Sequence, residues 1–385
     1  MRVLHTLDTF IHTTENWLYP QILAPGVESR AICSLITNLD KYPIERARLF
    51  YHFYPKQYAL GIPRIFDRLA CELGKRTISE LRLSRWKPHI IHAHFGPRGW
   101  DALRLKKRVR SPLITSFYGY DAWLLPTVDA SWREKYRDLF MIGDLFLVEG
   151  PAMKERIVEL GCPSEKIQIH RIGVDLSTLE FSEKDILRQL RIIMVGRFAE
   201  KKGLVDGLRA CSIARARGVK LSVTIVGDAS LNDPVGEHIK EELKTIAQQP
   251  ELNGLVEFVG FVSQQEARKI IATHDIFLSP SKHSSKGDAE GGSPVVLTEA
   301  MAMGLICIGT RHCDIPEVIL NGLTGFLCNE GDVESIADIL CNLSGGASDT
   351  KSITQAGKKH ISDNFCQEVQ LSRLIEIYNC ARQRV

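Results

Sequence analysis

The sequence predicts an α/β protein built from two doubly wound domains, each on a parallel sheet. Three observations carry that prediction. The chain has 385 residues, and at about 150 residues per domain that length suggests two. Short β-branched runs alternate with longer amphipathic stretches. The runs are apolar almost throughout, as expected of strands covered on both faces by helices.

Taken in order, the strand-like runs of the first half are Val3–Leu7, Ala31–Thr37, Ile90–His94, Leu113–Phe117, Leu145–Val148 and Ile167–Ile172. A second series follows at Ile192–Val195, Leu221–Val226, Val256–Gly260, Ile276–Ser279, Ile306–Gly309 and Gly325–Leu327. Helical periodicity marks Ile62–Trp86, Ala152–Leu160, Leu204–Ala216, Ser263–Thr273 and Asp332–Leu343. The polar segment Asp175–Leu190 lacks a clear period and separates the two series. The expected domains are therefore residues 1–180 and 181–366, with a final helix at about 367–385 able to pack on either, the first included. Folds of this kind bind ligands beyond the carboxyl ends of their strands, so the expected site is a cleft between the two domains.

Composition excludes several classes. With 44% hydrophobic and 25% charged residues, the chain is neither disordered, nor collagen-like, nor a disulfide-framed miniprotein. A net charge of +3 argues against a dedicated nucleic-acid binder. That charge is unevenly spread: residues 1–180 carry 26 Lys+Arg and 20 Asp+Glu, while residues 181–385 carry 23 and 26. Residues 60–110 alone hold 13 basic and 4 acidic side chains, densest at Arg104, Lys106, Lys107, Arg108 and Arg110. This is either a solvated helix face or a patch that meets anionic lipid headgroups or an anionic acceptor. Arg2, His5 and Asp8 interrupt the start before a secretory signal develops, and no run of about 18 apolar residues occurs. The ten cysteines include no CxxC pair and no zinc-like spacing, and Cys33, Cys211 and Cys307 sit in apolar runs. The expected location is the cytoplasm, with peripheral attachment to the inner face of the cell membrane as an option.

Two segments carry the chemistry. In the first, Gly196-Arg197-Phe198-Ala199-Glu200-Lys201-Lys202-Gly203 follows a strand. Arg197 and Lys202 either converge on a diphosphate or are two solvated cations in a βα turn. In the second, Asp288-Ala289-Glu290-Gly291-Gly292-Ser293-Pro294 leads into an apolar stretch holding Glu299. Ser293 and Pro294 read as a helix cap and first helical position, which with Gly291 and Gly292 makes an anion site. Glu299 can accept bonds from a ribose diol and Glu290 from a sugar ring, the alternative being ordinary capping and solvation.

These segments resemble the retaining GT-B glycosyltransferases of family 4. The matching features are Gly196–Gly203, Val226-Gly227-Asp228, Leu278-Ser279-Pro280-Ser281, Glu290–Pro294 followed by Thr298–Gly304, Ile315-Pro316-Glu317-Val318 and Asn321–Phe326, in the family's order over about residues 190–330. The resemblance implies a GT-B fold and a donor site built from Gly196, Arg197, Lys202, Gly227, Ser281, Gly291, Gly292, Ser293, Pro294 and Glu299. It implies that Arg197 and Lys202 hold the donor diphosphate, Glu299 the ribose and Glu290 the transferred sugar. The family's paired glutamates usually have seven residues between them, whereas Glu290 and Glu299 have eight, a variant associated with exopolysaccharide-type members. In the first half, Ile91–Gly96 and Thr115–Asp121 resemble two strand-end loops that face the acceptor, here with Glu15, His94, Tyr118 and Asp121. Many members place a histidine where Tyr118 stands, and His94 is the nearest substitute by sequence. His92 and His94 also read as a satisfied strand-end pair. Thr14–Leu18 resembles a loop of polysaccharide-assembly members.

Neither Asp-x-Asp, GxGxxG before a helix, nor GxxxxGK[ST] occurs in the sequence, which disfavours a metal-bridged GT-A site, a dinucleotide dehydrogenase and a P-loop NTPase. The candidate catalytic residues are Glu290, Arg197, Lys202 and His94, with no metal and no resident cofactor. The expected activity is retaining transfer of a hexose from a UDP- or GDP-sugar to a glycan or lipid-linked oligosaccharide acceptor. The alternatives are a sugar-nucleotide epimerase and a non-catalytic sugar-nucleotide-binding subunit; a phosphorylase would be longer and carry a pyridoxal lysine.

Overall fold

A computed structural model of the chain describes residues 1–11, 15–45, 48–51, 83, 85–184, 189–346 and 349–383. The expected helix at Ile62–Trp86 falls mostly outside them, as do Thr14 and part of the segment after Asp175. The chain forms two compact units. One comprises Met1–Val148, Lys154–His170 and Gln370–Val385, the other Glu149–Met153 and Arg171–Val369. In this division the chain passes to the second unit at Arg171, shortly before the polar segment that starts at Asp175. Backbone bonds explain this: Val174 N donates to Phe365 O, and Gln367 N donates to Val174 O, tying the segment after Arg171 to the second unit.

In the first unit β1 (Arg2–Phe10), β2 (Glu28–Ile36), β3 (Leu49–Tyr51), β4 (Ile90–His94), β5 (Leu113–Ser116), β6 (Leu145–Val148) and β7 (Ile167–Ile169) form one sheet. Its order is β3-β2-β1-β4-β5-β6-β7 and every pairing is parallel. The order reverses between β1 and β4, the switch point at which such sheets bind ligands. Only β3, three residues long, is absent from the sequence reading. The last helix, Gln367–Gln383, packs here. Leu374, Ile377, Tyr378 and Ala381, spaced as one helical face, meet Val3, Ile90, Ile114, Leu145 and Leu147.

The second unit repeats the plan with β8 (Leu190–Val195), β9 (Leu221–Val226), β10 (Val256–Gly260), β11 (Ile276–Ser279), β12 (Ile306–Thr310) and β13 (Gly325–Cys328). The order is β10-β9-β8-β11-β12-β13, again parallel, with the reversal between β8 and β11. Apart from the edge strand β10, where Glu257 and Phe258 are exposed, both faces are largely buried, which is why these strands read as unbroken apolar runs. Ile192 and Met194 of β8 enter one core while Ile193 enters the other. In β12, Ile306 and Ile308 lie opposite Cys307 in the same way. Helix ends are set locally: Ser263 and Asp332 accept the backbone N–H of Glu266 and Ser335, capping Gln264–Ala272 and Val333–Ser344.

Candidate active site

The turn after β8 is held by close backbone approach. Gly196 N donates to Val226 O at 2.9 Å, and Gly227, at φ +123°, lies so near that a Cβ there would stand 2.0 Å from Gly196 O. Only glycine fits such a position. A 3-10 turn at Glu200–Lys202 follows, and Gly203 at φ +62° ends it against the Pro280 carbonyl. Lys202 is thereby set at the end of β8, beside the loop that follows β11.

There Lys202 Nζ pairs with Glu290, 2.8 Å from Oε1 and 3.0 Å from Oε2. Ser281 Oγ donates to Glu290 Oε1 at 3.1 Å, and Thr310 Oγ1 donates to the Ser281 carbonyl. Burial alone would raise the Glu290 carboxyl, but the Lys202 and Lys201 charges outweigh it and hold the group below the usual range. Lys201 Nζ in turn binds Asp288 and, at 2.9 Å, the Ala289 carbonyl. The structure therefore brings Lys202, Ser281 and Glu290 together. Arg197 is exposed and has no side-chain ion pair among the described residues.

Glu299 lies within the helix Val295–Ala302, almost wholly buried. Its Oε1 accepts from Arg268 Nη2 at 2.6 Å, Arg268 Nε at 3.2 Å and Gln264 Nε2 at 2.8 Å. Sequence reasoning named neither Arg268 nor Gln264. It also placed the helix start one residue early. The cap is Pro294, whose ψ of 124° is not helical, and Ser293 makes no capping bond; its Oγ is buried without a partner among the described residues. Gly291 adopts φ +87°, and a Cβ on Gly292 would stand 1.9 Å from Glu149 Oε2, so that carboxylate rests directly on the glycine. Beside Ser293 a small hollow is lined by Glu149, Arg171, Asp314 and Glu317 among others. Three carboxylates against one guanidinium make it unsuited to a diphosphate.

Two residues past β12, His312 is fully buried and bridges Glu290 to Glu330: Glu290 N donates to Nε2 at 3.1 Å, and Nδ1 stands 2.7 Å from Glu330 Oε1. The strand-end rule that singled out Gly196 and Ser281 also covers this position, but the sequence reading did not use it there.

In the first unit Asp121 is buried and accepts three backbone N–H bonds, from Gly96 at 2.8 Å, Tyr118 at 3.0 Å and Gly119 at 3.1 Å. Burial pushes its carboxyl up to about 6 against the pull of those bonds. It fixes the loop after β5 to the start of the helix Gly96–Val109 and has no surface for an acceptor. His94 is also fully buried, with Nδ1 bonded to the Tyr118 hydroxyl at 2.8 Å and Nε2 to His5 Nδ1 at 3.0 Å. Both ring nitrogens are thus engaged, and any influence on an acceptor passes through Tyr118. Tyr118 is half-buried against Trp17 and Phe95, and Glu15 is half-buried at the turn before the helix Leu18–Ile22. His92 bonds Ser116 Oγ at 2.8 Å and the Tyr378 hydroxyl at 2.6 Å, so it is a satisfied strand-end residue.

Among the described residues, His5, His92 and His94, and separately His283, His312 and Cys313, bring three potential ligand atoms within 4.8 Å of one another. In each set hydrogen bonds already occupy ring nitrogens. An ion at the second would have to displace either Glu330 or the Glu290 N–H from His312.

Two doubly wound units, with a lysine–glutamate pair at the switch point of the second, define a GT-B glycosyltransferase. A family model described as glycosyl transferases group 1 matches residues 178–360, and one described as Glycosyltransferase Family 4 matches residues 35–178. The amylovoran biosynthesis glycosyltransferase AmsK of Erwinia amylovora is 34% identical over 291 residues, spanning 75% of this chain and 69% of its own. The N-acetyl-alpha-D-glucosaminyl L-malate synthase of Bacillus anthracis is 26% identical over 75% of this chain and 74% of its own. Among solved structures, Anabaena HepE in complex with UDP superposes with a TM-score of 0.75 at 18% identity, covering 99% and 100% of the two chains. Sucrose-phosphate synthase from Thermosynechococcus elongatus does so with a TM-score of 0.78 at 15% identity, covering all of both. The chain belongs to the family 4 glycosyltransferases and is a glycosyltransferase.

Proposed function

We propose that the protein moves a hexose from a UDP- or GDP-sugar to a hydroxyl of a glycan or lipid-linked glycan, with retention of configuration, in cell-surface polysaccharide assembly. The observation that carries this reading is the Lys202–Glu290–Ser281 set at the carboxyl ends of β8 and β11. It puts a cation and a carboxylate side by side at a switch point. The UDP and UDP-glucose complexes of HepE support the donor class, and AmsK supports the pathway class.

In this mechanism Lys202 and the exposed Arg197 take the donor diphosphate. Glu290 leaves Lys202 in part to accept sugar hydroxyls, while Glu299, fixed on one oxygen by Arg268 and Gln264, accepts the ribose. The bond between the anomeric carbon and the phosphate oxygen breaks as the acceptor oxygen bonds that carbon on the same face. The acceptor proton passes to the departing phosphate oxygen, so no enzymic nucleophile is required. Charge on the leaving diphosphate is met by Lys202 and Arg197, which makes a metal unnecessary. Tyr118, held by His94, faces the acceptor side. Among the described residues no helix is long and apolar enough to cross a membrane. Attachment to an anionic membrane surface through the basic 60–110 region is part of this proposal.

The test is a thermal-shift screen over UDP-, GDP- and ADP-sugars, followed by transfer assays. A UDP- or GDP-sugar should raise the melting temperature, and Lys202→Ala should lower transfer at least tenfold while the variant still folds cooperatively. Inverted product anomers, or unchanged kinetics in Lys202→Ala, would overturn the reading.

A further inference from the structure

His312 makes two contacts that dictate the same tautomer. The Glu330 carboxylate at Nδ1 accepts hydrogen bonds, so Nδ1 carries the proton. The Glu290 amide at Nε2 can only donate, so Nε2 is bare. Glu330 is itself fixed, accepting from His283 N at 2.9 Å and bonded to His283 Nδ1 at 2.9 Å. Cys313 Sγ lies 3.3 Å from the same Nε2 and adopts φ +45°, a left-handed conformation that costs a side-chain-bearing residue energy and is kept here by its surroundings. Burial holds the imidazole below its ordinary pKa despite the pull of Glu330, consistent with a neutral ring.

The loop at the other end of this chain of contacts has no regular structure. Residues 288–294 carry two consecutive glycines, one at φ +87°. A loop of that composition does not fix a side chain by itself. Lys202 and Ser281 hold the Glu290 carboxylate, while two bonds hold the peptide that precedes its Cα: Lys201 Nζ on the Ala289 carbonyl at 2.9 Å and His312 on the Glu290 N–H at 3.1 Å. His312 is the anchor reached from the neighbouring strand end.

We propose that His312, in its Nδ1–H tautomer, is a positioning residue that fixes the Glu290 backbone so that the carboxylate meets the donor sugar. This rests on the reading of Glu290 as the sugar contact. His312 touches no substrate; it acts by accepting one N–H bond. Glu330 is the tautomer-setting partner, and His283 the group that orients Glu330.

Two substitutions separate the halves of the imidazole. Asn at 312 can still donate to Glu330 but is too short to reach the Glu290 amide, whereas Gln at 312 offers an oxygen near the Nε2 position. H312N should lower kcat/KM for transfer at least tenfold, while the dissociation constant for UDP or GDP without sugar stays within twofold of wild type. H312Q should recover kcat/KM to within threefold of wild type. Amide hydrogen exchange over residues 286–294 should be faster in H312N than in wild type and restored in H312Q. Wild-type kcat/KM in H312N, equal impairment of both variants, or a parallel loss of nucleotide affinity would overturn the proposal. Should wild type turn over no nucleotide sugar, the functional reading fails and exchange alone decides: unaltered protection in H312N would then overturn the anchoring role.

Discussion

A carboxylate that is only 3% exposed needs a cation, and Glu299 has Arg268. Removing the guanidinium would strand a buried charge, which is more damaging than losing both groups together. Arg268→Ala is expected to weaken UDP or GDP binding about tenfold, or 1.4 kcal/mol, by freeing Glu299 from its fixed orientation. Arg268→Lys restores charge but not the fork and should recover only part. Calorimetric titration of each variant measures this, and unchanged affinity would remove the ribose assignment. Lys202, Ser281 and Glu290 were legible in the sequence because strand ends and glycine turns point to them. Arg268 was not, since on an amphipathic helix an arginine that turns inward to a glutamate 31 residues later looks like any solvent-facing one. Ser293 was misread for a related reason. A Ser-Pro pair resembles a cap, yet Pro294 takes the cap position and the hydroxyl is left inside.

The helix Gly96–Val109 carries most of the basic patch that the structure describes. Lys106 pairs with Asp144, and Arg104, Lys107, Arg108 and Arg110 at its end are exposed. Cations in the last turn also suit the negative end of the helix dipole, which explains part of the cluster without any membrane. Flotation with anionic vesicles discriminates between the two. Wild type should float at low salt and lose most binding by about 0.5 M, and a variant with Arg104, Lys107 and Arg108 changed to Gln should not float. Equal flotation of both would show that the patch is only a solvated helix end. The elements themselves were largely legible, since buried parallel strands and capped amphipathic helices each leave a periodic signature. The docking of Gln367–Gln383 was not. Its apolar face at Leu374, Ile377, Tyr378 and Ala381 identifies a buried helix but carries no address, and its place is fixed only by fit to β1, β4, β5 and β6.

Across the molecule, buried histidines and buried raised carboxyls set opposite pH trends. The first buries His5, His92, His94 and His170, all pushed below 6.5 by burial, His5 to about 3 and His170 to about 4. As pH falls below 6.5 the unfolded chain takes up protons that the folded one refuses, so stability is lost at up to about 1.4 kcal/mol per pH unit for each histidine. Asp121, raised to about 6, opposes them: its contribution is lost as pH rises from 3.8 to about 6. Four histidines outweigh one carboxyl, so this unit should be acid-labile. Asp314 in the second unit, raised by burial to about 7, resembles Asp121 in sign. Scanning calorimetry should show a melting temperature lower by about 10 °C at pH 5.0 than at pH 7.5; a flat profile would contradict the neutral-histidine reading. The same partition has an optical consequence. All five tryptophans, Trp17, Trp86, Trp100, Trp123 and Trp132, belong to Met1–Val148. Indole emission therefore watches the first unit alone, whereas far-ultraviolet ellipticity averages over both. The native chain thus carries its own spectroscopic label on the first unit and none on the unit that holds Lys202 and Glu290.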